Sequence, residues 1–150
     1  MIFVTVGTWK FDALIEQVAL LIKEGRIKED VLFQIGKGNY IPKNGKYFRY
    51  KPSIEQKLDT ADLVISHGGT GTVLFLLKAD KPFIAVPNPN VADNHQYEFL
   101  KKLSDLNIIN RCFNLNELGI LINQVKKQPK SKNILILHLA EEIAKFLNSL

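Results

Sequence analysis

The sequence predicts an α/β fold built on a doubly wound parallel sheet, and three observations carry that prediction. Short apolar runs at 1–6, 31–35, 62–65 and 83–86 alternate with segments in which apolar residues recur at helical spacing. The runs are apolar throughout instead of alternating with polar residues, the mark of parallel strands covered on both faces. Each run closes on a turn former: Gly7, Gly36, Pro87, and the stretch Ser66-His67-Gly68-Gly69-Thr70-Gly71-Thr72.

Taken in order, residues 1–6 read as a buried first strand closed by Gly7. Phe11, Leu14, Ile15, Val18 and Ile22 then mark a helix ending near Gly25. Residues 31–35 form a second strand ended by Gly36-Lys37-Gly38-Asn39, and 46–50 a third after a turn with Pro42, Asn44 and Gly45. Ser53 fits an N-cap for a short helix through Thr60, with Gln56 as its capping-box partner. The fourth strand, 62–65, leads through the glycine-rich turn into a helix over 73–78 that Lys81-Pro82 terminates. A fifth strand covers 83–86, a helix 94–106 with Phe99, Leu100 and Leu103 on one face, and a short sixth strand 108–109. Asn114 or Asn116 caps a helix through Lys126, and a polar hinge at 126–132 precedes a last helix from about 133. Right-handed crossovers between such strands give a Rossmann-like domain whose ligands sit beyond the carboxyl ends of the strands.

The totals bound the answer. At 150 residues the chain is expected to be one domain, and 46% hydrophobic with 23% charged residues excludes a disordered chain. A net charge of +5 favours anionic ligands or an anionic membrane surface. The lysines read as scattered, without a basic stripe interleaved with aromatics, so no nucleic-acid partner is expected. A lone cysteine, Cys112, rules out an intrachain disulfide and a cysteine metal cage. The apolar start runs straight into Trp9, Lys10 and Asp12, the reverse of a secretory leader, and no run approaches the ~18 apolar residues of a membrane span. A cytoplasmic chain, at most peripheral to a membrane, is the expectation.

The turn at 66–72 carries the chemistry. A strand that ends in glycines and small hydroxyl residues, then becomes a helix, gathers unpaired backbone N–H groups where the helix dipole is positive. That is a seat for a phosphate, with Thr70 and Thr72 as added hydroxyl donors. A tight connection without a ligand is the plainer alternative, and His67 reads equally as scaffold or contact. Asp93-Asn94-His95-Gln96 offers four polar groups at a helix start; capping explains one of them, so His95 and Gln96 are favoured as binding residues. Generic motifs are absent: Val73 follows Thr72 where a Walker A lysine would stand, Gly7-Thr8-Trp9-Lys10 is no dinucleotide fingerprint, and Ser66 lacks the glycines of a nucleophile elbow. With no closely spaced Asp pair, a diphosphate would be held by N–H groups and hydroxyls, without a metal. The last helix carries Ile136, Leu139, Ala140, Ile143, Phe146, Leu147 and Leu150 as a broad stripe that either packs on the sheet or, over 133–150, docks a partner.

Several separated blocks share one resemblance: Phe3-Val4-Thr5-Val6-Gly7-Thr8 with Phe11-Asp12, Gln34-Ile35-Gly36, Ala61-Asp62-Leu63-Val64-Ile65-Ser66-His67-Gly68-Gly69, Lys81-Pro82, and Asp93-Asn94-His95-Gln96. Over roughly 1–110 the chain resembles the glycosyltransferase family 28 C-terminal domain, in its small stand-alone form. The resemblance implies the donor-binding half of a GT-B glycosyltransferase, inverting and metal-independent, with a UDP-sugar as substrate and no cofactor. It also implies a separate membrane-anchored subunit that binds a lipid-linked acceptor and recruits this chain to the cytosolic membrane face. The family's diphosphate seat maps onto Gly68, Gly69, Thr70, Gly71 and Thr72, flanked by His67; Gly7 and Thr8 face the same site. His95 and Gln96 match its sugar- and phosphate-proximal pair, with Asn94 beside them as a donor-binding candidate, and the general base is expected from the other half. One position departs: relatives carry a ribose-binding Glu where this chain has Phe75, a loss of about 1–3 kcal/mol in hydroxyl recognition. That departure admits a second reading, a non-catalytic enhancer of a partner transferase, and a third, some other nucleotide-using Rossmann-like enzyme.

Overall fold

In the computed structural model, which describes residues 1–91, 95–128 and 134–149 (134–137 as backbone only), six strands form one sheet, all parallel. The chain runs β1 (Ile2–Thr5), α1 (Asp12–Lys23), β2 (Val31–Gln34), β3 (Lys46–Phe48), α2 (Glu55–Thr60), β4 (Leu63–His67), α3 (Thr70–Lys78), β5 (Phe83–Val86), α4 (His95–Asp105), β6 (Asn110–Arg111), α5 (Leu118–Lys126) and α6 (Ile134–Asn148). Strand order is β3-β2-β1-β4-β5-β6, so the winding reverses between β1 and β4, as in the doubly wound domain the sequence predicts.

Strand geometry explains why whole apolar runs were needed. Successive side chains point to opposite faces. Ile2, Val4, Ile65, Ile84 and Val86 join one core with α1 and α5, where Leu14, Ile15 and Val18 are fully buried. Phe3, Val64, Phe83 and Ala85 join a second core with α2, α3, α4 and α6. Phe99, Leu100 and Leu103 lie in that second core, as their helical spacing requires.

The structure moves several boundaries. β4 extends through Ser66 and His67, which pair in register with Ala85 and Val86, and α3 begins at Thr70, three residues early. Thr70, Gly71 and Thr72 are therefore the first turn of a helix, not a loop. β3 is shorter than expected and stops at Phe48. The short strand expected at 108–109 is instead Asn110–Arg111, because Asn107, at φ +57°, reverses the chain and the Ile108 N–H closes α4 by donating to Leu103 O. Ser53 is not the N-cap of α2: Ile54 is, and Ser53 Oγ accepts only a long 3.4 Å bond from the Glu55 N–H, with no return bond from Gln56. Asn114 does cap, its carboxamide accepting from the Asn116 N–H at 3.0 Å ahead of a 3-10 turn, Leu115–Glu117. On α6 the inner stripe is narrower than predicted: Ala140 and Ala144 are buried, Ile143 and Leu147 partly so, while Leu139 and Phe146 are exposed. Two alanines let α6 lie close against α3 and α4. Of the predicted hinge at 126–132, Lys126 still belongs to α5 and 129–132 lie outside the described residues, as do the side chain of Ile136 and the whole of Leu150. Among the described residues no helix is long and apolar enough to cross a membrane.

Candidate functional site

Where the winding reverses, the loops after β1 and β4 lie side by side at the carboxyl edge of the sheet. The floor beneath them is polar. Gln34, Thr5 and Ser66 form one row across β2, β1 and β4 in register, all buried. Thr5 Oγ1 donates to Gln34 Oε1 at 2.6 Å and accepts from the Gly7 N–H at 3.1 Å; Ser66 Oγ donates to the His67 carbonyl at 2.7 Å. Each hydroxyl thus has a partner, as burial requires.

The glycines divide into two groups. A Cβ on Gly7, itself at φ +69°, would come within 2.9 Å of the His67 ring, and one on Gly69 within 2.5 Å of His67 Nε2. A Cβ on Gly68 would strike Leu100 Cδ1 at 2.6 Å and approach Gln96 Oε1 at 3.3 Å. These three make room for the chain's own side chains. Gly71 is different: it is exposed and nothing lies within 4 Å of its missing side chain. Gly71 is the second residue of α3, and among the described residues no side chain caps that helix. The Val73 N–H is the first satisfied within the helix, donating to Gly69 O at 3.0 Å. The N–H groups of Thr70, Gly71 and Thr72 precede that bond at the positive end of the helix, and neither threonine hydroxyl is hydrogen-bonded among the described residues.

His67 is wedged between Gly7 and Gly69. Its Nδ1 is buried without a hydrogen-bond partner, and burial pushes the imidazole below its ordinary value of 6.5. The nearby Thr5 backbone carbonyl opposes that shift, without forming a bond of standard geometry. Burial thus favours the neutral imidazole over the cation.

A brace from β5 completes the site. Buried Asn88 donates from Nδ2 to Lys10 O at 3.0 Å, its own N–H donates to Gln96 Oε1 at 3.2 Å, and Oδ1 accepts from the Asn90 N–H at 2.9 Å. Trp9 Nε1 donates to Asn90 O at 3.2 Å, tying the first loop to the β5 loop from the other side. Gly36, at φ +56°, lies so close to Trp9 that a Cβ there would fall 1.9 Å from its carbonyl. Beyond β5 a cleft of about 430 Å³ opens between Phe11, Pro87, Asn88, Gln96, Tyr97 and Phe113.

Of the residues predicted from sequence, Gly7, His67, Gly68, Gly69 and Gln96 converge, and Thr70, Gly71 and Thr72 open onto the same edge. Thr8 is exposed on the first loop and His95 exposed at the start of α4; Asn94 lies outside the described residues. Part of Gln96 is spent on positioning, since its carbonyl oxygen holds the Asn88 N–H. The brace of Trp9, Asn88 and Asn90 was missed. The signal that could have found it is a pair of asparagines between prolines, Pro87-Asn88-Pro89-Asn90, where an asparagine side chain commonly bonds the backbone two residues on. Phe75 packs against the second core, away from the open first turn of α3.

Fold and loop geometry define the class: a doubly wound α/β domain with an open helix N-terminus at its switch point. Residues 1–146 match the glycosyltransferase family 28 C-terminal domain, and the chain belongs to that family. The chain is 38% identical over 112 residues to the UDP-N-acetylglucosamine transferase subunit ALG13 of Mus musculus, covering 67% of this chain and 10% of that protein. It is 31% identical over 151 positions to the UDP-N-acetylglucosamine–N-acetylmuramyl-(pentapeptide) pyrophosphoryl-undecaprenol N-acetylglucosamine transferase of Prochlorococcus marinus MIT 9515, covering 90% of this chain and 40% of that one. The chain thus spans a tenth to two fifths of the length of these relatives. Among solved structures it is similar to MurG of Acinetobacter baumannii, with TM-score 0.65, 20% identity, 96% of this chain and 44% of that chain. It is also similar to the solution structure of ALG13, with TM-score 0.57, 26% identity, 97% of this chain and 94% of that chain. The architecture is that of one half of a GT-B glycosyltransferase.

Proposed function

We propose that this chain is the donor-binding component of an inverting, UDP-sugar-dependent glycosyltransferase acting on a lipid-linked acceptor in glycan or polysaccharide synthesis. The observation that carries this reading is the uncapped first turn of α3, with Gly71 open beside it at the switch point. The names of the relatives support uridine diphosphate as the donor's leaving group and, for the bacterial enzyme, a pyrophosphoryl lipid as acceptor. When the acceptor oxygen attacks the sugar's anomeric carbon, the bond to the β-phosphate breaks and its electron pair leaves on the diphosphate. The fixed N–H dipoles of Thr70, Gly71 and Thr72 stabilise that growing charge without reorganising, and no metal is needed for it. The base that takes the acceptor's proton comes from a second, membrane-anchored subunit at the cytosolic face, since one α/β layer forms only one wall of an interdomain cleft. Donor-contacting roles fall to Gly7, Thr8, His67, Gly68, Gly69, His95 and Gln96, and to Asn94 on the family resemblance alone.

Titration of UDP into the chain, followed by amide NMR, tests this. Saturable shifts centred on 68–72, with partner-dependent turnover, are expected. Phe75 favours a second reading, a non-catalytic enhancer of a partner transferase, because a phenyl ring accepts no ribose hydrogen bond. Silence at millimolar UDP would select the enhancer.

A further inference from the structure

The chain's excess charge is concentrated on one edge of the sheet. Residues 31–54 hold Lys37, Lys43, Lys46, Arg49 and Lys51 and no acidic residue, which equals the +5 of the whole chain. The topology brings these together, because β3 is the outermost strand and the loop after β2 packs beside its end. Arg49 donates to the carbonyls of Gly36 and Gly38 at 3.1 and 2.8 Å, and Lys37 Nζ lies 5.3 Å over the Trp9 ring, with Lys10 Nζ at 5.8 Å. Basic side chains therefore run from the edge strand across to the first loop, with one carboxylate among them, Asp12, which accepts from the Asn39 N–H. The basic stripe that composition had not revealed is present in the fold. Among the described residues none of these lysines is ion-paired. Large apolar-bodied side chains stand among them: Trp9 is 43% exposed, Tyr47 46% and Tyr50 60%.

An edge strand is guarded against pairing by a lysine or two. Here the charge continues past the strand onto two loops and is interleaved with Trp and Tyr, side chains that settle at the headgroup level of a bilayer. Trp9 is flanked by two ammonium groups, and Lys51 Nζ sits 4.9 Å over Phe48. Those occupied ring faces are poor platforms for stacking nucleic-acid bases. We propose that the β3 edge and its neighbouring loops bind the anionic phospholipid surface of a membrane directly. The inference stands apart from donor binding, since Lys43, Lys46 and Tyr47 lie off the loops that flank α3.

The full chain is sedimented with vesicles of phosphatidylcholine alone and with vesicles containing about one-third phosphatidylglycerol, over a salt series. Partition onto the anionic vesicles alone, weakening as salt rises, is expected. Lys43→Gln with Lys46→Gln lowers the partition coefficient about twenty-fivefold, roughly fivefold per charge, and Tyr47→Ser lowers it further. The UDP titration is unchanged in these variants. Lys78→Gln with Lys127→Gln, the same charge change elsewhere, alters partition by less than about twofold. Unchanged melting curves show that the variants are folded. Equal partition onto both vesicles, none onto either, or equal loss in the control pair overturns the proposal. So does preferential retention of a labelled single-stranded oligonucleotide, which would assign the patch to nucleic acid.

Discussion

His67 and Gly71 show how single positions in the same turn answer to different demands. The His67 imidazole is held neutral by burial, with its value pushed below 6.5, so the unfolded chain binds a proton that the folded chain does not. Stability from this group is complete above pH 6.5 and is lost as pH falls through the lowered folded value. Urea unfolding between pH 7.5 and 5 should show that decline, and His67→Gln should flatten it. Gly71 has no neighbour to collide with, so Gly71→Ala should stabilise the unliganded chain by about 0.5–1 kcal/mol, a gain of a few degrees in melting temperature. The same methyl group projects into the space a diphosphate would fill, so UDP affinity should drop by about tenfold or more. A rise in stability with no loss of UDP binding would place the ligand elsewhere. Gly69→Ala behaves oppositely: the collision with His67 Nε2 should cost about 1–3 kcal/mol before any ligand is added.

At the scale of elements, the loops after β1, β2 and β5 form one braced unit. Asn88 connects two of them through its side-chain bond to Lys10 O, and Gly36 admits the third against Trp9. Asn88→Ala leaves the Lys10 carbonyl without its principal donor and should cost about 1–3 kcal/mol. Trp9 is the only tryptophan, so its fluorescence reports this brace alone. Its emission should move to the red in Asn88→Ala while far-ultraviolet circular dichroism stays native. An unchanged spectrum would mean that the Trp9–Asn90 bond alone sets the loop.

For the whole molecule, two cores on opposite faces of one sheet imply cooperative unfolding, and Cys112 is placed to report it. The thiol is fully buried in the first core, donates to the Asn114 carbonyl at 3.0 Å, and is pushed up to about 11 by burial first and the Glu117 charge second. A thiol reagent at pH 8 should leave the native chain unmodified and label one site per chain in denaturant. Labelling of native protein at the rate of a free thiol would show that this core opens locally. Donor binding should slow labelling only if the ligand stabilises the whole domain.

Fold class and most of the elements were legible in the residues alone, because parallel strands buried on both faces leave unbroken apolar runs and their turns need glycine or proline. The residues also located the glycine-rich strand-to-helix junction, while leaving open whether its glycines serve a tight connection or a ligand. Tertiary structure decided the rest. Only packing reveals that Gly7 makes room for the His67 ring, sixty residues on, and that of the glycines in the 68–71 turn it is Gly71 that opens outward, since this depends on β1 and β4 meeting side by side. The shift of the last strand from 108–109 to Asn110–Arg111 and the exposure of Phe146 follow from how α4 and α6 close against their neighbours. The same holds for the basic edge. Its five basic residues stand close together in the sequence, but only the fold makes β3 the outer strand and lets Arg49 draw the second loop beside it, so that the charge is displayed on one edge next to Trp9 and Lys10.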